Sequence, residues 1–420
     1  MVEAVVQLTR ALDLIATLPA TPALRREQIK LQVALVTPLI HVKGYAAPEV
    51  RAAAERARLL IEQAQALGEP AEDPLLLLSV IYGFWAASVV AFNGDTTLEL
   101  AAQFLALAKK QGANKLPLTV GHRAVGISLA GVGNLAKGRA HVDRAIALYD
   151  PATHRPQAAR FGQDAGVTAL SYRSWVLWLL GCPEAALRDA AEALRNAREI
   201  GQAATLLHPL DWASMVHIHC GRYTTATTLL EELVALADAK GASAWKARGV
   251  ILQGCLMALT GRASHAVPIA TSGLTASRTT GTTLTTPSYL SYLAGAYADL
   301  GQFEDAWRCI ADAITAIETS KERWSEADVN RVAGEIALKS PQAAAAKAEA
   351  YFQRALAVAR EQQAKSWELR AAMSMARLWR DQGKRDEARE LLAPVYGWFA
   401  EGFDTLDLKE AKALLEELTT

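Results

Sequence analysis

The chain has 420 residues, 51% of them hydrophobic, with Lys plus Arg and Asp plus Glu at 44 each and a formal net charge of zero. A balanced charge excludes the basic surplus that binding a phosphate backbone requires, so no nucleic-acid partner is expected. Cys182, Cys220, Cys255 and Cys309 are scattered without CxxC spacing, which reads as reduced cytosolic thiols and excludes a disulfide frame.

Residues 2–17 carry Val5, Leu8, Leu12, Leu14 and Ile15 at helical spacing, and Glu3, Asp13 and a single Arg10 do not follow the basic-then-apolar order of an export signal. Pro19 to Pro22 breaks this helix, and residues 23–42 form a second one, ended by Lys43-Gly44. The first helix has the pattern of the second half of a hairpin, which predicts that the chain begins inside a longer array. Leu75 to Phe92 is free of charge over a length that just suffices to span a bilayer. It ends beside the Asn93-Gly94 turn, however, and its flanks are acidic (Glu72, Asp73, Asp95) with no Lys or Arg near. A buried helix of a repeat is therefore expected, and no membrane partner.

From there glycines recur as helix stops. Gly94, Gly138, Gly181, Gly221, Gly261, Gly301 and Gly383, with Pro341 in the same role, are spaced by about 40 residues. Seven residues before these anchors lie Ala87, Gly131, Ser174, Ser214, Gly254, Ala294, Gly334 and Ala376. All are small, as a close crossing of two helices requires. Ala186, Ala226, Ala266, Ala306 and Ala388 follow their anchors by five, and Ala348 joins them if the Pro341 turn holds two extra residues. The clearest unit runs from Tyr289 to Gly301 and on to Trp307, with Leu290, Leu293, Ala294 and Tyr297 on one face. Two longer connections interrupt the series, a polar loop from Asp150 to Asp164 and a threonine-rich one from Thr279 to Thr286.

The predicted fold is all-α, a right-handed α-solenoid of about nine tetratricopeptide-like helix hairpins forming one superhelical domain over residues 1–420. Within it, residues 1–93 are less regular hairpins, 94–400 are regular repeats and 401–420, with a helix from Leu406 to Leu418, form a C-terminal cap.

Motifs for chemistry are absent. Gly131 to Gly138 resembles a phosphate loop faintly, but it lacks the Gly-Lys-Ser/Thr ending and no strand precedes it. The Lys339-Ser340 pair has no second glycine before it. His217 and His219 point about 200° apart on a helix and cannot share a metal; His217 takes a core position of its repeat. There is no HExxH, GxSxG or PCxxC. The expectation is a protein without catalytic residues, metal site or cofactor.

Binding residues are sought on the first helix of each pair, which lines the inner groove of such arrays. Positions thirteen, ten, six and three before the anchors give Ser171, Trp175 and Trp178, then His208 and Asp211, then Arg248, and finally Arg370, Met373, Arg377 and Arg380. A tryptophan pair beside polar groups, with an arginine ladder at the far end, fits a peptide- or ligand-binding groove. Equally open at this point is packing of Trp175 and Trp178 against the next repeat, with the arginines forming a solvated face.

Several stretches, Lys43 to Val50, Leu148 to Arg155, Gly162 to Asp164, Ser174 to Gly181, Lys365 to Trp379 and Ala393 to Phe399 with Gly402-Phe-Asp-Thr, are similar to one recurrent bacterial region. That region is the tetratricopeptide tail of signalling proteins that join a class III adenylate/guanylate cyclase or DNA-binding domain to an AAA-type, STAND-like ATPase. The resemblance covers essentially the whole chain, although neither ATPase nor cyclase is present in it. It implies a cytoplasmic scaffold or sensor that regulates such an output in cis or through a partner. His154, Arg155, Gln163 and Asp164 form a candidate loop site, with stabilisation of the hairpin as the other role open to them. The expected function is recognition of a peptide or protein partner in the concave groove; the alternative is sensing of a small-molecule effector.

Overall fold

The computed structural model describes residues 2–44, 47–69, 75–110, 114–341 and 344–419. The acidic flank expected at Glu72 and Asp73, and Tyr45-Ala46 of the Lys43 to Val50 stretch, lie outside them. Helix α1 (Val2–Ala16) packs on α2 (Pro22–Lys43), which pairs with α3 (Pro48–Ala66). Eight further hairpins follow among the described residues: α4 (Leu75–Val90) with α5 (Gly94–Ala108), and α6 (Leu116–Gly131) with α7 (Leu135–Leu148). After a short α8 (Pro151–His154) and a 3-10 turn over Arg155–Phe161 come α9 (Ala165–Leu179) with α10 (Pro183–Ile200), and α11 (Ala203–His219) with α12 (Tyr223–Ala239). Then come α13 (Ser243–Leu259) with α14 (Ala263–Thr279), and α15 (Thr286–Asp299) with α16 (Phe303–Ser320). The last two are α17 (Glu326–Lys339) with α18 (Ala345–Gln362), and α19 (Lys365–Asp381) with α20 (Arg385–Gly397); α21 (Leu406–Thr419) closes the series.

The two helices of a hairpin differ because their surroundings differ. In α9 every residue except Arg173 is buried, since this helix touches its own partner α10 and also α7, α6 and α11. Its partner α10 buries mainly Ala186, Ala190, Ala193, Leu194 and Ala197, the single stripe of an outer helix with one face in water. First helices touch along the series, α9 to α11, α11 to α13, α13 to α15, α15 to α17 and α17 to α19. No helix among the described residues is long and apolar enough to cross a membrane.

In the eight hairpins from α4 to α20 the turn is closed by one backbone bond. The Arg222 N–H donates to the His217 carbonyl across Gly221, which sits at φ +71°; glycine enters that left-handed conformation without a Cβ penalty. The same bond closes the turns at Gly181, Gly261, Gly301 and Gly383. At Pro341 it runs from Ala344 N–H to the Ala337 carbonyl, a span of seven residues where the others have five, and Ala348 is fully buried in its expected role.

Two expected anchors move. The turn between α6 and α7 is built on Gly133, at φ +92°, and not on Gly138, which lies inside α7. Gly138 is a crossing residue: a Cβ there would come within 2.8 Å of the Gly126 carbonyl, and a Cβ on Gly126 equally close to that of Gly138. Gly94 likewise opens α5 behind the Asn93 cap, and the turn residue before that cap is Phe92. The expected crossing residues Ala87 and Gly131 are therefore out of register; seven before the true turns stand Trp85 and Gly126.

The Asp150 to Asp164 segment also departs from a purely polar loop. Its 3-10 turn places Phe161 in the core, 5.2 Å from the Tyr82 ring and 6.1 Å from that of Phe104.

The larger departure from a single file of hairpins is that the superhelix coils onto itself. Thr283 and Leu284 N–H groups both donate to the Val90 carbonyl at 2.9 Å, and Arg323 and Trp324 donate to that of Gly131 at 2.9 and 3.3 Å. Glu184 accepts from Gly402 N–H at 2.8 Å and Glu401 from Ala185 N–H at 2.9 Å. Later repeats thus sit on earlier ones, and the first helices of both turn their aromatic residues into the space between.

Candidate functional site

The groove residues read from the sequence meet different fates in this coiled arrangement. Trp175 is buried with its ring edge-on to Trp324 at 5.3 Å. Trp178 stacks on His219 at 4.1 Å and meets Trp367 edge-on at 4.7 Å. Both tryptophans join early repeats to late ones, and neither lines an open groove. Ser171 and Met373 are buried.

The arginine ladder is occupied by the last helix. Arg370 donates to Asp407 at 2.8 Å and to the His219 carbonyl at 2.9 Å, with its guanidinium 5.2 Å from the ring centres of Trp178 and Trp367. Arg377 pairs with Glu410 at 2.8 Å and Arg380 with Glu417 at 2.7 Å. Three positions on one face of α19 therefore meet three carboxylates of α21: Arg370 is mostly buried against its partner, whereas Arg377 and Arg380 keep the partly solvated face that the sequence left open.

The loop residues divide as well. His154 accepts from the Asp150 N–H at 3.1 Å through Nδ1 and faces the Tyr149 ring. Arg155 lies 3.9 Å from Glu199. Asp164 caps α9, accepting from the N–H groups of Gly166 and Val167 at 3.0 and 2.9 Å and from the Tyr149 hydroxyl at 2.7 Å. These three stabilise the connection. Gln163, next to the cap, points the other way.

Gln163, His208 and Arg248 converge on a pocket that is partly open to solvent. Helix α4 supplies Tyr82, Trp85, Ala86, Val89 and Val90; Arg123 comes from α6, Tyr172 from α9, Trp212 from α11 and Ala244 and Trp245 from α13. Thr282 and Leu284, from the connection between α14 and α15, complete the wall. Coiling is what makes this a pocket, because that connection is hydrogen-bonded to Val90 of a much earlier repeat.

Its walls are largely rings. His208 packs against Tyr172 at 4.7 Å and Trp245 at 5.9 Å, and Tyr172 against Trp212 at 4.8 Å. The polar groups fall into a satisfied set and an unsatisfied one. Arg248 is bonded to Asp211 through Nε at 3.1 Å and through Nη2, and to Thr285 through Nη1 at 3.1 Å. In contrast, Arg123 Nε, Gln163 Nε2 and both ring nitrogens of His208 are buried without a partner among the described residues. Burial, with Arg123 and Arg248 near, pushes the His208 pKa well down and keeps its imidazole neutral. Arg123 donates to the Tyr82 hydroxyl at 3.0 Å and to Thr168, and its guanidinium lies 5.5 and 5.9 Å from the Tyr82 and Trp85 ring centres. Among the described residues no carboxylate pairs with it. A site of this kind can hold a flat apolar group and satisfy hydrogen-bond acceptors beside it.

Arg123 and Tyr82 escape the sequence reading for a definite reason. Counted from the true turns at Gly133 and Phe92, each lies ten residues upstream, in the inner register that singled out Ser171. Counted from Gly138 and Gly94, they fall off that face.

No protein-family model matches the chain, and no curated protein matches it in sequence. Solved structures do match in fold. A Rap protein complexed with Competence and Sporulation Factor superposes with a TM-score of 0.60 at 12% identity, over 93% of this chain and 99% of that one. NprR in complex with its cognate peptide NprX gives 0.57 at 12% identity, over 87% and 98%. The apo form of the quorum sensor NprR from B. thuringiensis gives 0.51 at 12%, over 88% and 98%. At such identities the likeness is one of architecture: the chain shares the helical-repeat superhelix of these proteins over nearly its whole length.

Proposed function

We propose that this protein is a non-catalytic regulatory module that recognises a peptide or protein partner through the interior of its superhelix. The observation that carries this reading is the ring-walled pocket, in which Arg123 Nε, Gln163 Nε2 and both His208 ring nitrogens are buried with no partner among the described residues. Buried donors left unmade cost about 1–3 kcal/mol each, a cost that a bound group removes. NprR, similar in fold, has been solved with its cognate peptide, which supports a peptide as partner here. A small-molecule effector is the second reading, favoured by Thr282 and Leu284 closing the pocket from the following coil. The regulated output is an ATPase or cyclase domain, in cis or in trans, and the setting is the bacterial cytoplasm, as the resemblance of the sequence implies.

Peptides selected from a displayed random library against the whole chain test this, with affinities measured by fluorescence anisotropy. Selected peptides are expected to lose about tenfold in affinity or more with Trp245→Ala or Gln163→Ala, the usual effect of removing one central contact. Failure to enrich any peptide, or peptides indifferent to both substitutions, contradicts the peptide reading. A metabolite that raises the melting point through the same residues establishes the effector reading in its place.

A further inference from the structure

We infer that the pocket takes a carboxylate borne on an aromatic group, with the carboxylate seated on Arg123 and the ring between the aromatic walls. This rests on the pocket being the recognition site, and it specifies what is recognised there.

Charge is the first argument. Arginine stays protonated in proteins, and Arg123 is only 2% exposed. Its Nη groups are held by two hydroxyls, of Tyr82 and Thr168, which carry no compensating charge. The other pocket arginine is neutralised by Asp211. Among the described residues the pocket lining contains no Asp or Glu, so one positive charge is left over. A buried charge without its counter-ion costs several kcal/mol, and an entering anion recovers it. One charge matches the single charge of a carboxylate; a phosphate dianion would carry a surplus negative charge into a site walled by rings.

Donor geometry is the second. Arg123 Nε, Gln163 Nε2 and one nitrogen of His208 can each give a hydrogen, and all are buried without partners among the described residues. A carboxylate accepts only, through two oxygens with about four lone-pair sites, and so satisfies several donors at once. Third, the rest of the wall offers ring edges and faces to a further ring, where offset or edge-on pairs add about 0.5–1.5 kcal/mol each beyond burial.

An aromatic carboxylate could arrive as a free organic acid or as the C-terminal residue of a peptide. Calorimetric titration of the full chain separates the two, using indole-3-acetate, phenylacetate and the tripeptide acid N-acetyl-Gly-Gly-Trp, each beside its neutral amide. At least one acid is expected to bind about tenfold or more tighter than its amide, as for a charge-assisted pair in a buried site. Arg123→Met is expected to erase that preference and Gln163→Leu to reduce it several-fold. Arg123→Lys, which keeps the charge, should retain part of it. Tighter binding of the tripeptide acid identifies a chain terminus as the source, and tighter binding of a free acid identifies a metabolite.

Equal affinity of acid and amide in the wild-type chain overturns the inference without recourse to any variant, as does the absence of binding by all three acids. If library-selected peptides still depend on Trp245 while acid and amide bind alike, the recognition reading stands and the carboxylate assignment alone fails.

Discussion

Where α13 crosses α14, Gly254 leaves no room for a methyl group. A Cβ there would lie 2.7 Å from the Ala270 nitrogen and 2.8 Å from its Cβ, contacts with a neighbouring backbone that cannot rotate away. Gly295 in α15 has nothing within 4 Å of the same position. Gly254→Ala is therefore expected to destabilise the protein by about 1–3 kcal/mol through overpacking, and Gly295→Ala to stabilise it by about 0.5–1 kcal/mol through helix propensity. Chemical denaturation of the two variants checks both signs; equal effects would contradict the crossing. Gly254 was legible in the sequence because small residues recur in register with the turns. Arg123 was not, because its hairpin turns on Gly133 while Gly138 copies the spacing of an anchor. A glycine needed for a crossing and one needed for a positive φ look alike in a sequence, and only the helix boundary separates them. His208 and Arg248 were legible, since Gly221 and Gly261 are true turns.

At the scale of elements, the clearest case is the last helix. The sequence showed α21 as a cap and Arg370, Arg377 and Arg380 as a row of charges, yet it gave no sign that one answers the other. Helical spacing places charges on a face without naming the helix opposite. The structure pairs them with Asp407, Glu410 and Glu417, and burial ranks the pairs. Arg370 and Asp407 keep only 16% and 17% of their side-chain surface, whereas Arg377 and Glu410 keep 40% and 45%. Asp407→Ala strips a mostly buried arginine of its partner and is expected to cost about 3 kcal/mol. Arg377→Ala removes a screened surface pair and should cost at most about 1 kcal/mol. Melting curves of the two variants measure the ranking, and a reversed order would show that α21 is held some other way.

Taken whole, the molecule depends on contact between repeats that the sequence separates widely. Periodicity reveals neighbours along a solenoid and is silent about the next coil, so neither the Trp175–Trp324 and Trp178–Trp367 contacts nor the pocket wall at Thr282 and Leu284 could be read in advance. These contacts decide the function proposed here: a straight array would open the wall, hydrate Arg123 and leave an exposed groove in place of an enclosed site. Amide hydrogen exchange followed by mass spectrometry resolves the two states. The amides of Thr283, Leu284, Arg323 and Trp324 lie in connections between hairpins, but each donates to a carbonyl of a distant repeat. They are expected to exchange orders of magnitude more slowly than the connection at Gly241, with protection close to that of the inner helices. Exchange at all four as fast as at Gly241 would mean that the coils do not touch, and the pocket would not exist in solution.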